Sequence, residues 1–338
     1  MKKLTKIAAA VACAAVLALG AVGCSGSQSG SGASSSSAAG ADSSAASSEA
    51  TAETTYTFTD DLGNQVTVNK NPQRVVACMG SFAHIWELAG GTLVGASDDS
   101  FDDYSISSQV DKIGTFSSPN LEKIIDLDPD FVIMTGSTRG NANSTAQTDL
   151  KNALDNAQIP YAYFTVTTFD DYLRMLKTCT DITGQAENYT TYGTAVQDRI
   201  KAIEAKVPAD QHPTAMAAIA YSGGVRVQGA GTMPGAIISD LGGTNISDQN
   251  KSLLSDYSIE ALVESNPDNI FMIPITTSGD ATVALASATT DNPAWSTLTA
   301  VSSGHYQALD PKLFVYKPCE NWDAAYQAIF DVMYPDAA

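Results

Sequence analysis

Basic residues are scarce in this chain. Its 338 residues hold 18 Lys and Arg against 37 Asp and Glu, a formal net charge of −19 at pH 7, and three of the lysines fall within the first six positions. A surface so acidic repels phosphate backbones and anionic lipid, which argues against nucleic acid as a partner and against membrane attachment by charge. It also disfavours long-range steering of an anionic ligand, which local arginines would have to offset. Histidine is rarer still. His84, His212 and His305 fall in three different elements and show no ligand spacing, so a directly bound zinc or manganese ion is not expected. A haem would need an axial His, Tyr or Met. Met79, Tyr104 and Met233 offer those groups, but Met in an apolar stretch is usually core, and His84 reads as an ordinary helix residue. Cysteines are few and make no CxxC pair. Cys78, Cys179 and Cys319 are too widely spaced for a disulfide framework and read as buried thiols, with a single bridge left open as the alternative. No GxSxG, HExxH or Walker pattern occurs. Gly229-Ala-Gly231 with Gly235 lacks the spacing of a dinucleotide fingerprint, and no base stands beside a nucleophile. The reading is therefore a non-enzyme without a resident cofactor.

Long apolar runs are also missing, apart from Ile7 to Leu19, which is short and alanine-rich. With Lys2, Lys3 and Lys6 before it, that run reads as the core of a secretory signal rather than a membrane span. Ala21-Val-Gly-Cys24 resembles a bacterial lipobox, which makes 1–23 the signal peptide and Cys24 the acylated first residue; the alternative is an ordinary signal cut nearby. Residues 24–53 are Ser/Gly/Ala-rich, without an aromatic or basic residue, and read as a flexible tether of about 30 Å reach.

Beyond the tether, one stretch occurs twice. Asn120-Leu-Glu-Lys-Ile-Ile-Asp-Leu-Asp-Pro-Asp-Phe-Val-Ile-Met134 returns as Ser258-Ile-Glu-Ala-Leu-Val-Glu-Ser-Asn-Pro-Asp-Asn-Ile-Phe-Met272, aligned without a gap. Asn120 and Ser258 read as N-caps of short helices with apolar residues at i, i+3 and i+4. Each helix carries a carboxylate pair on its other face, Glu122 with Asp126 and Glu260 with Glu264. A proline step then stops the helix, and a buried strand comes next. A unit repeated in this way predicts two α/β lobes with mainly parallel sheets.

The remaining elements fit that plan. Tyr56 to Val68 alternates like a hairpin. Val75 to Met79 reads as a strand broken by Gly80-Ser-Phe, with a helix over 83–88 and a strand at Leu93, a βαβ unit. Ile159 to Phe164 is a strand and 169–183 a helix. Residues 186–206 form one long helix with Tyr189, Tyr192, Val196, Ile200 and Ile203 on its apolar stripe. A strand at 214–221, a helix at 233–241 and a closing helix from Trp322 complete the second lobe. The domains are 54–184 (N-terminal lobe), 185–207 (linking helix) and 208–338 (C-terminal lobe).

Asp60-Asp-Leu-Gly-Asn-Gln-Val-Thr-Val, Asn71-Pro-Gln-Arg-Val-Val, the first copy of the repeat and Asn292-Pro-Ala-Trp resemble the iron-siderophore, haem and cobalamin family of ABC-transporter substrate-binding proteins, from about Tyr56 to Pro335. The resemblance implies two lobes joined by a single long helix, small lobe motions, and a ligand held in the cleft between lobes. It implies a ferric siderophore or related chelate, a haem or a corrinoid as ligand, and an ABC permease with its ATPase as partner. The place of action would be the outer face of the cytoplasmic membrane, reached by the lipid anchor alone. A tethered sensor or adhesin on the same fold is the competing reading. The resemblance also implies that Glu122 and Glu260, one per lobe, dock onto the permease; the alternative is that each simply offsets its helix N-terminus.

In parallel α/β lobes, ligands meet the carboxyl ends of strands and the helix N-termini beyond them. That rule selects Met79, Ser81, Phe82, Phe101, Phe116, Arg139, Tyr221, Arg226 and Met233, with Thr276-Thr277. Phe116 also matches a position where cobalamin-binding members place an aromatic. Arg139 and Arg226 suit bidentate pairing with ligand oxygens, with structural salt bridges as the alternative. Lys317 and Trp322 read as the loop closing the second lobe's side of the cleft. Where many members carry Asn-Ala-Arg, this chain has Cys319-Glu-Asn321, which points toward a neutral or cationic ligand.

Overall fold

A computed structural model describes residues 54–136, 145–221, 223–255, 257–275 and 281–337. The signal, Cys24, the tether, Arg139 and Thr276-Thr277 lie outside the described residues.

Each lobe is built on one sheet. In the first, the strands Asp111–Lys112, Leu93–Ala96, Val75–Ala77, Phe131–Thr135 and Tyr161–Phe164 lie side by side in that order, all parallel. In the second, Gly224–Gln228, Thr214–Tyr221, Asn269–Pro274 and Tyr306–Ala308 are arranged in that order, and Thr244–Asn245 adds to the Thr214 strand. Only Gly224–Gln228 is antiparallel, because the turn at Gly223 and Gly224 folds it straight back.

Successive side chains of a strand face opposite ways, and these strands are buried on both sides. Val75, Ala77, Phe131 and Ile133 face one cluster, while Val76, Cys78, Val132 and Met134 face another. The second lobe divides likewise: Ala215, Ala217, Ile219, Phe271 and Ile273 against Met216, Ala218, Ala220, Ile270 and Met272. The inward faces of both sheets belong to one continuous apolar cluster. That cluster includes Tyr172, Val196, Ile200, Ile237, Trp322 and Phe330, so packing runs unbroken from lobe to lobe.

The expected long helix is present with one irregularity. Ala186–Tyr189 is α-helical, Thr190–Thr194 widens into a π turn, and Ala195–Glu204 resumes the α-helix. Gly193 lies against the helix Phe169–Thr183: a methyl there would sit 3.2 Å from Leu173 Cδ2 and 3.3 Å from Leu176 Cδ2. A π turn disturbs the carbonyl ladder, and here the Tyr192 carbonyl accepts from the Tyr172 hydroxyl at 2.9 Å. Val196, Ile200 and Ile203 are buried, and Tyr189 and Tyr192 are half-buried. On the other side, Arg199 donates to both carboxylate oxygens of Asp323, in the closing helix Trp322–Met333.

Gly80-Ser-Phe departs from expectation. It is the first turn of the helix Gly80–Leu88, and the strand before it stops at Ala77. Glycine is required there by close approach, since a Cβ on Gly80 would lie 2.6 Å from Asp99 Oδ2 and 2.9 Å from Ser100 N.

The repeat holds in atomic detail. Asn120 caps Leu121–Asp126 by accepting from Lys123 N at 3.0 Å, and Ser258 caps Ile259–Ser265 by accepting from Ala261 N at 3.3 Å. The residue before each proline, Asp128 or Asn266, turns left-handed at φ 45° and 35° and ends the helix in the conformation common at helix C-termini. The acid after each proline then clamps the neighbouring strand. Asp130 accepts from Gln73 N at 2.8 Å and Arg74 N at 3.0 Å, and Asp268 accepts from Thr214 N at 2.8 Å and Thr214 Oγ1 at 2.7 Å.

Candidate functional site in the interlobe cleft

The carboxyl ends of both sheets open onto one cavity of about 240 Å³. Met79, Phe82, Phe116, Thr135, Val166 and Thr167 line it from the first lobe. Ile219, Arg226, Gln228, Gly231, Thr232, Met233, Pro234, Phe314, Val315 and Lys317 line it from the second. Met79 is the N-cap of Gly80–Leu88, and Met233 is the first residue of Met233–Asp240. Neither helix has an acid in its own first turn, but Asp99 Oδ2 accepts from Gly80 N at 2.9 Å and offsets the first, which leaves Met233–Asp240 to present the positive end of its dipole to the cavity.

The charge in the lining is of one sign. Arg226 and Lys317 are its only ionisable side chains of full charge, and no carboxylate is present among these residues. Lys317 stands at φ 71°, with Cys319 at φ 51° two residues on, a pair of strained positions of the sort that clusters at functional sites. Its carbonyl accepts from Tyr104 Oη at 3.4 Å. Burial holds the Lys317 ammonium below the usual lysine range, partly offset by Cys319 and Asp171. An arriving anion would relieve that cost.

A second cavity, of about 290 Å³, lies where the linking helix meets both lobes. It is slightly larger, but Asp170, Glu204 and Asp240 line it, with Lys201 as the one cation. Burial raises the Glu204 carboxyl, helped by the charge of Asp240. No strand end opens there, so the interlobe cavity is the better site on chemistry and topology alike.

Of the expected ligand contacts, Met79, Phe82, Phe116, Arg226, Met233 and Lys317 come together in this cavity. Tyr221 is not among the lining residues, and the Arg226 guanidinium lies 6.0 Å from its ring centre. Three others do not reach the lining. Ser81 is buried within its helix. Phe101 lies under Lys112 Nζ at 4.9 Å. Trp322 is a correction: it is 1% exposed and meets Phe169 edge-on at 5.9 Å, so it closes the interlobe core rather than the cleft. Its flat apolar bulk is better used there than in a wet loop.

Glu320 faces away from the cavity lining and pairs with His84 at 3.0 Å. Burial raises its carboxyl, but the His84 contact and a backbone hydrogen bond outweigh that and leave it below the usual range. Glu122 and Glu260 are exposed in the first turns of the two repeat helices. The Glu260 carboxylate accepts from Ser258 Oγ at 2.7 Å, which holds it below the usual range. Among the described residues no group of three metal-ligating side chains occurs, and no helix is long and apolar enough to cross a membrane.

Sequence reasoning missed Thr135, Val166, Thr167, Ile219, Gln228, Phe314 and Val315. The strand-end rule could have reached the first five, had each strand been traced to its last residue. Phe314 ends the short helix Pro311–Phe314 and Val315 is its C-cap; the N-cap Asp310 followed by Pro311 was the signal that could have found it.

Known proteins share this architecture. The chain is 25% identical over 256 residues to the Fe(3+)-citrate-binding protein YfmC of Bacillus subtilis, covering 74% of this chain and 77% of that one. It is 26% identical over 267 residues to a cobalamin-binding protein of Halobacterium salinarum, covering 75% and 70%. The catecholate-siderophore binding protein VctP of Vibrio cholerae superimposes with a TM-score of 0.64 at 19% identity, over 81% of this chain and 99% of that one. A family model described as periplasmic binding protein matches residues 75–313, and this chain is a member of that family.

Proposed function

We propose that the protein is the lipid-anchored substrate-binding component of an ABC importer, and that it captures a ferric siderophore or related metal chelate of net negative charge. One observation carries the sign of the ligand. In a chain of net charge −19, the interlobe cavity is lined by two cations, the N-terminus of Met233–Asp240 and no carboxylate among the described residues. Low-dielectric walls focus such a field on whatever enters. The expectation of a neutral or cationic ligand, drawn from the arginine missing from Cys319-Glu-Asn321, is thereby revised: Arg226 and Lys317 supply the charge.

Relatives named for ferric citrate and for cobalamin support a chelate as the ligand class. The continuous core through the hinge supports small lobe motion on binding. No bond is made or broken, and the metal is cargo. A haem is the second reading, favoured by Met79 and Met233 in one cavity, two thioethers of the type that serves as axial donors.

Glu122 and Glu260, exposed and equivalent in the repeat, are the proposed permease contacts. Cys24 is the proposed anchor, with the tether giving the body its reach. The test is thermal unfolding of the purified chain with ferric citrate, a ferric tris-catecholate, haemin or cyanocobalamin. A true ligand at a hundred times its Kd should add about 2.7 kcal/mol of stability. If none of the four shifts the transition, the chelate reading fails.

A further inference from the structure

Beside the cleft lies a third cavity, of about 260 Å³. His84, Asp103 and Tyr104 line it from the first lobe, and Lys312 and the segment 317–321 line it from the second. Lys317 is the residue that lines both this cavity and the cleft. The segment is thus a strap between two spaces, and the strap is strained. It joins the helix Pro311–Phe314 to the turn Cys319–Asn321, and Lys317 and Cys319 both sit left-handed, at φ 71° and 51°. Neither is glycine, so each conformation persists only where the surrounding contacts over-determine it.

Those contacts cross from the first lobe. Within the second lobe the strap's backbone bonds are short-range: Tyr316 N donates to the Pro311 carbonyl at 3.1 Å, and Asn321 N to the Pro318 carbonyl at 2.9 Å. From the first lobe, His84 Nε2 donates to Glu320 Oε2 at 3.0 Å, and Tyr104 Oη reaches the Lys317 carbonyl at 3.4 Å. Cys319 Sγ in turn donates to the Ser81 carbonyl at 3.9 Å. The linking helix adds a longer contact, from Arg199 Nη2 to the Glu320 carbonyl at 3.5 Å. His84 and Tyr104 also stack, with ring centres 5.6 Å apart, so they form one brace. The His84 and Glu320 side chains are only 22% and 31% exposed, and such a pair is screened less than one on the open surface.

We infer that His84 and Tyr104 are positioning residues for the cleft: they brace the strap from the opposite lobe and so fix where Lys317 presents its charge. Neither lines the cleft, and both act through Lys317. The effect on ligand affinity rests on the cleft being an anionic-chelate site. Because the brace spans the lobes, it also ties the charge of the cleft to their spacing. A movement that parted His84 from Glu320 would release the strap and take one of the two lining cations from its place.

Two measurements on the purified full chain test this. Competitive acetylation over a pH series, read by peptide mass spectrometry, gives the pH at which the Lys317 amine loses its proton. In the parent protein that inflection should fall below the ordinary lysine range, because burial lowers it. His84→Ala should move it up toward that range, and Glu320→Gln, made from the other lobe, should do the same. His84→Gln, which keeps a donor for Glu320, should leave it near the parent value. In fluorescence titration with a ferric tris-catecholate, His84→Ala should weaken binding about tenfold, but about twofold or less when Lys317→Met is already present. An unmoved inflection, or an equal loss of affinity with and without Lys317, overturns the brace. If the inflection moves as stated while the parent protein binds neither the tris-catecholate nor ferric citrate, the brace stands and the chelate reading falls.

Discussion

The two lobes share a scaffold and differ in what they offer the ligand. Both carry the same capped helix, left-handed residue, proline and strand-clamping aspartate. Yet the first lobe lines the cleft with Met79, Phe82, Phe116, Val166 and two threonines, while the second brings Arg226, Lys317 and Gln228. Scaffold and chemistry are therefore separable. The repeat fixes where strand ends open, and loops outside the repeat decide what they present. Both lobes supply apolar contact, and the second alone supplies charge.

The largest expected effect breaks this asymmetry at its charged side. Arg226→Gln combined with Lys317→Met should abolish measurable binding of an anionic chelate, with the larger loss from the more buried Lys317, since truncating one partner of a buried charge pair costs about 2–5 kcal/mol. Phe116→Ala on the opposite wall should cost about tenfold or less. Comparable losses from both walls, in equilibrium binding assays, would remove the asymmetry.

The outer surface offers the reverse comparison, since there the two lobes should act alike. Glu122→Lys with Glu260→Lys should stop cellular uptake, while ligand affinity and melting temperature stay within error of the parent. Either single reversal should give a partial loss. A parallel fall in ligand binding would show that the glutamates do something other than meet the permease.

Proton linkage sharpens the charged side further. Burial lowers the Lys317 pKa, and a bound anion should raise it again. Binding of an anionic chelate should therefore weaken as pH rises through the lowered pKa, below the ordinary lysine range. Over the same window the unliganded protein should gain stability, because the unfolded chain then holds the extra proton. Lys317→Met should remove both slopes, as read by binding isotherms and unfolding at stepped pH.

The smallest effect concerns the shared scaffold. Asp130→Ala and Asp268→Ala each release two hydrogen bonds at the start of a neighbouring strand, and each should cost about 1–2 kcal/mol, seen in denaturant titration. Closely matched values would confirm that the repeat is equivalent in energy as well as in geometry.

Most of the fold was legible because periodicity and punctuation agree. Proline after Asp128 and Asn266, the caps Asn120 and Ser258, and the runs at Thr214–Tyr221 and Phe169–Thr183 mark their elements on local grounds. The π turn was not legible, because it depends on Gly193 meeting Leu173 and Leu176 from another helix. Gly80 misled for the same reason: its need for glycine comes from Asp99, not from a turn. The site was half legible. Residues next to strand ends were reachable by rule, whereas Trp322 was misplaced because nothing local shows that Phe169 will cover it. The sign of the cleft was the least visible property, since Arg226 and Lys317 are far apart in a chain whose overall charge is opposite.

That sign is the central claim, and a comparison of two ferric chelates tests it directly. Kd would be measured on the same protein for an anionic ferric tris-catecholate and for a cationic ferric trihydroxamate bearing a free amine, at low and at high salt. The anionic complex should bind about a hundredfold more tightly or better, and added salt should narrow the gap. Equal affinities, or a preference for the cationic complex, would contradict the account.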